Sequence, residues 1–367
     1  MSETFEIFLV AAPGLEAVLA EEAAEAGFAI SGTVTGGVTL RGGWPEVWRA
    51  NLVLRGATRV LVRLAAFRAM PLARLDKRAR KLPWTDWLRP DVAVRVEAVC
   101  RKSRIYHNKA AAQRVEGALT AAGLTVSDTA EIVLKVRIED DLCTVSVDTS
   151  GESLHKRGLK VQVNKAPMRE TLAALFLRAA GFDGTEPVCD PMCGSGTFVI
   201  EAADIALGLL PGRERRFAFE KLTSFDASAW AEMRKGGGTT RTDLTFLGSD
   251  RDAGAIRMSE ANAQRAGVDA VTRFVCLPIS EAAPPDGPPG LVIVNPPYGG
   301  RIGRKAPLHG LYAAFGQRMT SAFPGWRIAM ITSQPGLARA TGLAWADQGP
   351  VVDHGGTNVR LYRTGPL

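Results

Sequence analysis

The sequence predicts an α/β protein in two parts: α+β modules first, then a mostly parallel sheet with helices on both faces. Three observations carry this. From about residue 168 short apolar runs alternate with helical patterns, as in a parallel sheet with crossover helices. Before that point strands come as hairpins and pairs around single helices. Finally, Asp190–Thr197, Gly248–Asp250 and Asn295–Tyr298 all follow apolar runs in the second part. Open α/β sheets bind ligands beyond the carboxyl ends of their strands.

In chain order, "TFEIFLV" reads as a strand and "GLEAVLAEEAAEAG" as an amphipathic helix closed by Gly27. "VTGGVTLRG" reads as a hairpin, "WPEVWRANLVL" as a helix and "ATRVLVRLAAF" as a strand with Arg59 and Arg63 on one face. A second module begins near Pro71 with a helix. It continues through the strand and basic turn "VAVRVEAVCRKSRIYH", the helix "NKAAAQRVEGALTAAG" and the strands "EIVLKVRIEDD" and "LCTVSVDTS". Glu139-Asp140-Asp141 reads as a hairpin tip, with the basic turn expected at the other end. A connector leads to a helix starting around Pro167, since proline suits a first helical turn. The alternating half follows: "PVCD", "PMCGSGTFVIEAADIAL", "LTFLGSD", "RDAGAIRMSEANAQRAG", "VTRFVCL", "LVIVNPPY", a helix from His309, and "WRIAMIT".

At 367 residues, 46% hydrophobic and 23% charged, the chain has the make-up of a globular protein of two or three domains. It holds no apolar run of the length a membrane helix needs, and its N-terminus lacks the pattern of a signal peptide, so the cytoplasm is the expected compartment. The five cysteines are scattered with no zinc spacing, and no metal is expected. Cys189 and Cys193 read as small apolar filler. The net charge of +7 is unevenly spread: Arg41–Lys165 holds 24 Lys/Arg against 13 Asp/Glu, and the remainder 21 against 25. A basic segment beside a mildly acidic one fits a nucleic-acid grip joined to a small-molecule domain. Within it Arg101, Lys102, Arg104, Tyr106 and Lys109, with His107, gather where a strand becomes a helix, and are candidate contacts to the phosphates of RNA or DNA.

In "DPMCGSGTF", Gly194 and Gly196 permit a turn in which backbone faces the ligand. A nicotinamide fingerprint would need glycine where Val199 stands, and the Gly-Lys-Ser/Thr of a phosphate loop is absent. A nucleoside without a pyrophosphate is the expected ligand, with Asp250 ending the next strand as acceptor for ribose hydroxyls. Asn295-Pro-Pro-Tyr suits an exocyclic amine. Such an amine is a poor nucleophile because its lone pair is delocalised into the ring. The Asn295 side-chain oxygen and the Pro296 carbonyl can accept its two N–H bonds, Pro296 and Pro297 stiffen the backbone, and Tyr298 can stack on the ring. Orientation of this kind contributes up to roughly 7–11 kcal/mol when near-attack geometry is enforced.

"DPMCGSGTFVIEAA", "GSDRD", "NPPYG" and "LHKRG…APMRETLAA" resemble the THUMP-domain class I methyltransferases that use S-adenosylmethionine, above all the bacterial large-subunit ribosomal RNA (guanine-N2)-methyltransferases. The resemblance covers nearly the whole chain. It implies a ferredoxin-like module over 1–68, a THUMP RNA-binding domain over 69–155 and a Rossmann-like methyltransferase domain over 156–367, with an insertion at 207–245. It also implies that Asp190, Pro191, Gly194, Ser195, Gly196 and Thr197 line the methionine end of the cofactor, Asp250 the ribose, and Asn295–Tyr298 the target guanine. The chain departs from the family after its third catalytic strand. Leu277 and Pro278 stand where many such enzymes carry a polar residue for the adenine amine, which leaves backbone groups or Ser280 to meet it. The implied partner is ribosomal RNA and the expected state a monomer. Transfer RNA guanine, adenine N6 in DNA and a non-catalytic role in ribosome assembly are the alternatives.

Overall fold

The computed structural model describes residues 4–159, 168–237, 241–299 and 305–367. They form two compact units. The first takes the chain through Ala11, Ala20–Leu154 and Arg215–Gly236; the second takes Ala12–Leu19, His155–Glu214 and Gly237–Leu367. The strands are β1 (Phe5–Val10), β2 (Ala29–Val34), β3 (Gly37–Gly42), β4 (Arg59–Arg68), β5 (Val94–Arg101), β6 (Ile132–Glu139), β7 (Leu142–Asp148), β8 (Val188–Asp190), β9 (Phe246–Asp250), β10 (Thr272–Cys276), β11 (Leu291–Val294), β12 (Arg327–Thr332), β13 (Asp347–Gln348), β14 (Val352–His354) and β15 (Thr357–Arg363). The α-helices are α1 (Glu16–Glu25), α2 (Trp44–Val53), α3 (Leu72–Ala79), α4 (Trp84–Trp87), α5 (Asn108–Ala121), α6 (Glu170–Ala179), α7 (Thr197–Ala206), α8 (Ala227–Lys235), α9 (Ala253–Ala266), α10 (Lys305–Ala322) and α11 (Pro335–Ala340).

The first unit holds one sheet in the order β2-β3-β1-β4-β7-β6-β5. Alternation dictates its faces. Ile7, Leu9, Leu40, Val60, Val62, Leu134, Val136, Ile138 and Val145 are buried on one side. The opposite side carries Glu6, Arg63, Lys135 and Glu97, joined in surface ion pairs. The β4–β7 pairing runs through the middle of this sheet, so residues on either side of position 68 share one hydrogen-bonded layer. A buried polar network fastens α2 to the end of β7: Asn51 donates to Thr149 Oγ1 at 3.0 Å and accepts from Ser150 Oγ at 2.7 Å. Such a network is stabilising only because its members satisfy one another.

Two features differ from expectation. The β5–β6 pairing is parallel, with Arg101 opposite Glu139. The basic turn after β5 and the acidic tip after β6 therefore lie at the same end of the sheet, where Arg104 N donates to Asp141 Oδ1 at 2.8 Å. The second feature is the return of 215–236 to the first unit. Phe219, fully buried, stacks on Trp48 of α2 at 6.1 Å, and Phe217 and Trp230 pack around it. Rings of this size take their stabilisation from burial, and Phe219 N anchors the stretch on Thr149 O at 3.0 Å.

The second unit holds the sheet β10-β9-β8-β11-β12-β15-β13, with β14 paired to β15. From β10 to β12 the pairing is parallel; β15 runs antiparallel to β12. All four residues of β11 are buried, the mark of a strand covered on both faces. The expected helix near His309 begins earlier, at Lys305; Pro167 lies outside the described residues, and α6 starts at Glu170. Among the described residues no helix is long and apolar enough to cross a membrane.

Candidate active site

Strand order sets the site. β8 comes first in the chain, β9 and β10 are laid down on one side of it, and the chain then crosses back to place β11 on the other. The carboxyl ends of β9, β8 and β11 meet at this reversal, the position where doubly wound sheets take their ligands.

After β8 the chain turns through Pro191-Met192-Cys193-Gly194-Ser195-Gly196 into α7. Gly194 has φ +56° and Gly196 φ +81°. At Gly196 a Cβ would also stand 3.1 Å from Ser259 and 3.2 Å from the Ile200 side chain. At Gly194 a Cβ would meet nothing within 4 Å, so the turn presents bare backbone on its open side. Fasteners hold the turn: Cys193 N donates to Ser249 O at 2.9 Å, Ser259 Oγ to Gly194 O at 3.0 Å, and Asn262 Nδ2 to Ser195 O at 3.1 Å. Ser195 and Thr197 are buried in it. The second strand supplies Asp250, whose Oδ2 accepts from Gly194 N at 3.0 Å and whose Oδ1 accepts from Asp252 N at 3.0 Å.

Asp190, ending β8, is buried and accepts from Met192 N at 3.1 Å. Burial pushes its carboxyl up to about 8; the Met192 hydrogen bond pulls the other way and the Asp250 charge adds to the rise. Burial also raises the Cys193 thiol well above its usual range, so this cysteine stays neutral. It is a free, buried cysteine, as is Cys189.

At the third strand end, Asn295 Oδ1 is buried and has no hydrogen-bond partner among the described residues. Pro296 is buried, Pro297 exposed and Tyr298 half-buried. The Tyr298 carbonyl accepts from Gln334 Nε2, and its hydroxyl lies 2.9 Å from His354 Nδ1. Neither Gln334 nor His354 was legible as a site residue. Each arrives from an element remote in sequence, and "VVDHGGTNV" carries only a turn signal. After β10, Leu277 N donates to Asp250 O at 3.0 Å, and Ser280 is exposed in a short 3-10 turn, Ile279–Glu281.

Asp190, the Gly turn, Asp250 and Asn295–Tyr298 thus stand on adjacent strand ends of the second unit. Arg101, Lys102, Arg104, Tyr106 and Lys109 stand together in the first, all exposed. Among the described residues no three His, Cys, Asp or Glu side chains gather to hold a metal.

Fold and site define a Rossmann-like methyltransferase domain, with a glycine turn, a strand-end acid and an acceptor left without a partner among the described residues on adjacent strand ends. The chain belongs to the family described as UPF0020, RMKL-like methyltransferase domain, which it matches over residues 157–356; residues 6–61 match the RlmL ferredoxin-like domain. Ribosomal RNA large subunit methyltransferase K/L of Syntrophotalea carbinolica is 34% identical over 365 residues, covering 94% of this chain and 51% of that protein. The chain therefore spans about half the length of that relative. The solved structure of "SMU.472, a putative methyltransferase complexed with SAH" superposes with TM-score 0.91 at 25% identity, covering 100% of this chain and 99% of the other. That of "a predicted N6-adenine-specific DNA methylase" from Listeria monocytogenes superposes with TM-score 0.89 at 29% identity, covering 99% and 97%.

Proposed function

We propose that this protein transfers a methyl group from S-adenosylmethionine to the exocyclic N2 amine of a guanine in RNA, with 23S ribosomal RNA as substrate. The observation that carries the reading is Asn295 Oδ1, a buried acceptor left without a partner among the described residues, beside a stiff Pro-Pro turn. An unsatisfied buried acceptor costs about 1–3 kcal/mol, and an incoming amine removes that cost. The name of the Syntrophotalea carbinolica relative favours ribosomal RNA over the DNA adenine for which the Listeria protein is named.

The cofactor supplies an electrophilic methyl on a cationic sulfur. The chain's residues bind and aim. The Gly194–Gly196 backbone and Asp190 take the methionine end, and Asp250 accepts from the ribose hydroxyls. Asn295 Oδ1 and the Pro296 carbonyl would accept hydrogen bonds from the two amine N–H groups, which directs the nitrogen lone pair outward, while Tyr298 stacks on the base. The base has to leave its stack to reach this site, at a cost of a few kcal/mol offset by that stacking. In the first unit, residues 69–155 act as a THUMP domain beside a ferredoxin-like module over 1–68, and Arg101, Lys102, Arg104, Tyr106 and Lys109 grip RNA. The methyltransferase domain occupies 156–367 apart from 215–236, which belong to the first unit, and the protein works in the cytoplasm as a monomer.

The test incubates the protein and labelled cofactor separately with unmodified ribosomal RNA, transfer RNA and DNA, then digests each to nucleosides. Label in N2-methylguanosine from ribosomal RNA is the expected result. Label in transfer RNA alone, or in N6-methyladenine from DNA, overturns the substrate. No label in any of them, with the cofactor bound, leaves the non-catalytic role.

Two further results are expected. Because the Asp190 carboxyl is raised to about 8, the free protein holds that proton near neutrality. A cationic ligand favours the carboxylate. Cofactor binding therefore releases a proton, and affinity rises as pH climbs toward 8. Calorimetry in buffers of different ionisation heat reads the proton directly, and Asp190→Asn removes it. By the same linkage, Asp190 contributes stability that is full at pH values below about 4 and is lost as pH rises through about 8. The second result concerns the Tyr298–His354 bond. Tyr298→Phe and His354→Ala are each expected to lower turnover roughly two- to tenfold, the worth of one hydrogen bond of about 0.5–1.5 kcal/mol. The double variant should be no worse than either alone; additive losses would mean that the two residues act separately.

A further inference from the structure

We propose that the end of the first unit's sheet where β5 and β6 finish is a docking surface for single-stranded RNA, extending the basic turn into a platform built from four strands. This rests on the RNA reading above and goes beyond it by naming the surface and the form of RNA it takes.

Cross-strand register puts Arg68, Leu142, Glu139 and Arg101 in one row, and Ala66, Thr144, Arg137 and Val99 in the next row on the same face. The residues between them, Cys143 and Ile138, point to the buried side. This face is neither purely charged nor purely apolar. Val99 is 44% exposed, Leu142 42%, Met70 41% and Tyr106 72%. Four of the eight exposed large hydrophobics among the described residues lie at this one end. Among them stand Arg68, Arg101, Lys102, Arg104, Lys109 and Arg137, against the three acids Glu139, Asp140 and Asp141. Cations interleaved with flat or apolar side chains suit a strand whose bases are free to stack while its phosphates pair; a duplex hides its base faces.

The platform is also held rigid. The non-glycine residues with positive φ among the described residues are Lys102, Asp140 and Asp141, all here. Ser103 Oγ accepts from Asp141 N at 3.0 Å and donates to Arg101 O at 2.7 Å. Arg68 Nη1 donates to Asp140 O at 3.2 Å, and Asn108 Oδ1 accepts from Cys100 N at 2.9 Å. Of the three acids, Asp141 accepts through its carboxylate from Arg104 N at 2.8 Å, and Glu139 is paired with Arg137. Asp140 and Asp141 are the central pair of the tight β6–β7 hairpin, a turn in which both residues take positive φ and aspartate is favoured, so the tip has one defined shape.

The test measures binding of a fluorescent single-stranded uridine 20-mer and of its duplex with the adenosine complement. The full-length protein is expected to prefer the single strand. Tyr106→Ala should weaken binding roughly tenfold, the effect of removing one stacked base. The pair Arg68→Ala and Arg137→Ala should flatten the salt dependence by about 0.7 for each phosphate no longer paired. A 4-thiouridine version of the oligomer, photo-cross-linked to the unaltered protein, should mark peptides containing 99–106 and 137–142, a readout no folding defect can touch. Equal affinity for duplex and single strand, unchanged affinity in the variants, or cross-links confined elsewhere overturns the proposal. These outcomes are independent of methyl transfer: weakened binding in the variants with no methylated RNA would sink the enzymatic reading and leave this surface standing.

Discussion

Asn295→Ala is expected to cut methyl transfer about 10³-fold, on the order of 4 kcal/mol of transition-state stabilisation, while cofactor affinity stays at the level of the unaltered protein. The same change should leave the melting temperature unchanged or slightly raised. Truncating a side chain usually destabilises, but here the removed atom is a buried acceptor with no partner among the described residues, and deleting such a group relieves roughly 1–3 kcal/mol of desolvation cost. Opposite signs for activity and stability are the signature of a residue kept for chemistry. A parallel drop in melting temperature would make Asn295 a structural residue instead. Turnover surviving the change would remove the amine-orienting mechanism altogether.

Asp250→Ala is expected to weaken cofactor binding roughly 100-fold or more. Each charge-assisted hydrogen bond to a ribose hydroxyl contributes about 1.5–3 kcal/mol, and this carboxylate also braces its surroundings. One oxygen holds Gly194 N in the glycine turn and the other holds Asp252 N at the start of α9. Asp250→Asn retains one acceptor oxygen and should fall between the two. Equilibrium dialysis with labelled cofactor product reads both, without any need for RNA. Affinity unchanged in Asp250→Ala would place the ribose elsewhere.

Features written in local pattern were legible from the sequence. The apolar run Leu291–Val294 reads as a buried strand because nothing polar interrupts it, and the residues that end it announce their stiffness. The Gly turn after Asp190 is equally local: only glycine reaches φ +81° cheaply at position 196. What escaped depends on pairing between distant segments. Periodicity cannot say whether β5 and β6 run parallel, so the basic turn and the acidic tip read as opposite ends when they are hydrogen-bonded neighbours. His354 meets Tyr298 across 56 residues through a C-terminal hairpin whose sequence names only its turn. The return of 215–236 was hidden for a related reason: "RRFAFEKL" shows that its rings need burial but not that Trp48 receives them.

That return has a consequence for how the protein is made. During synthesis the first unit cannot close when residue 154 leaves the ribosome, because Phe217, Phe219 and Trp230 arrive only after some sixty further residues of the other unit. Until then Trp48 lacks its stacking partner and the nascent sheet carries an uncovered greasy patch, the kind of surface that recruits chaperones or a second nascent chain. A fragment cut after 155 should therefore be prone to aggregation. Fusing 215–236 to it through a short flexible linker should restore solubility.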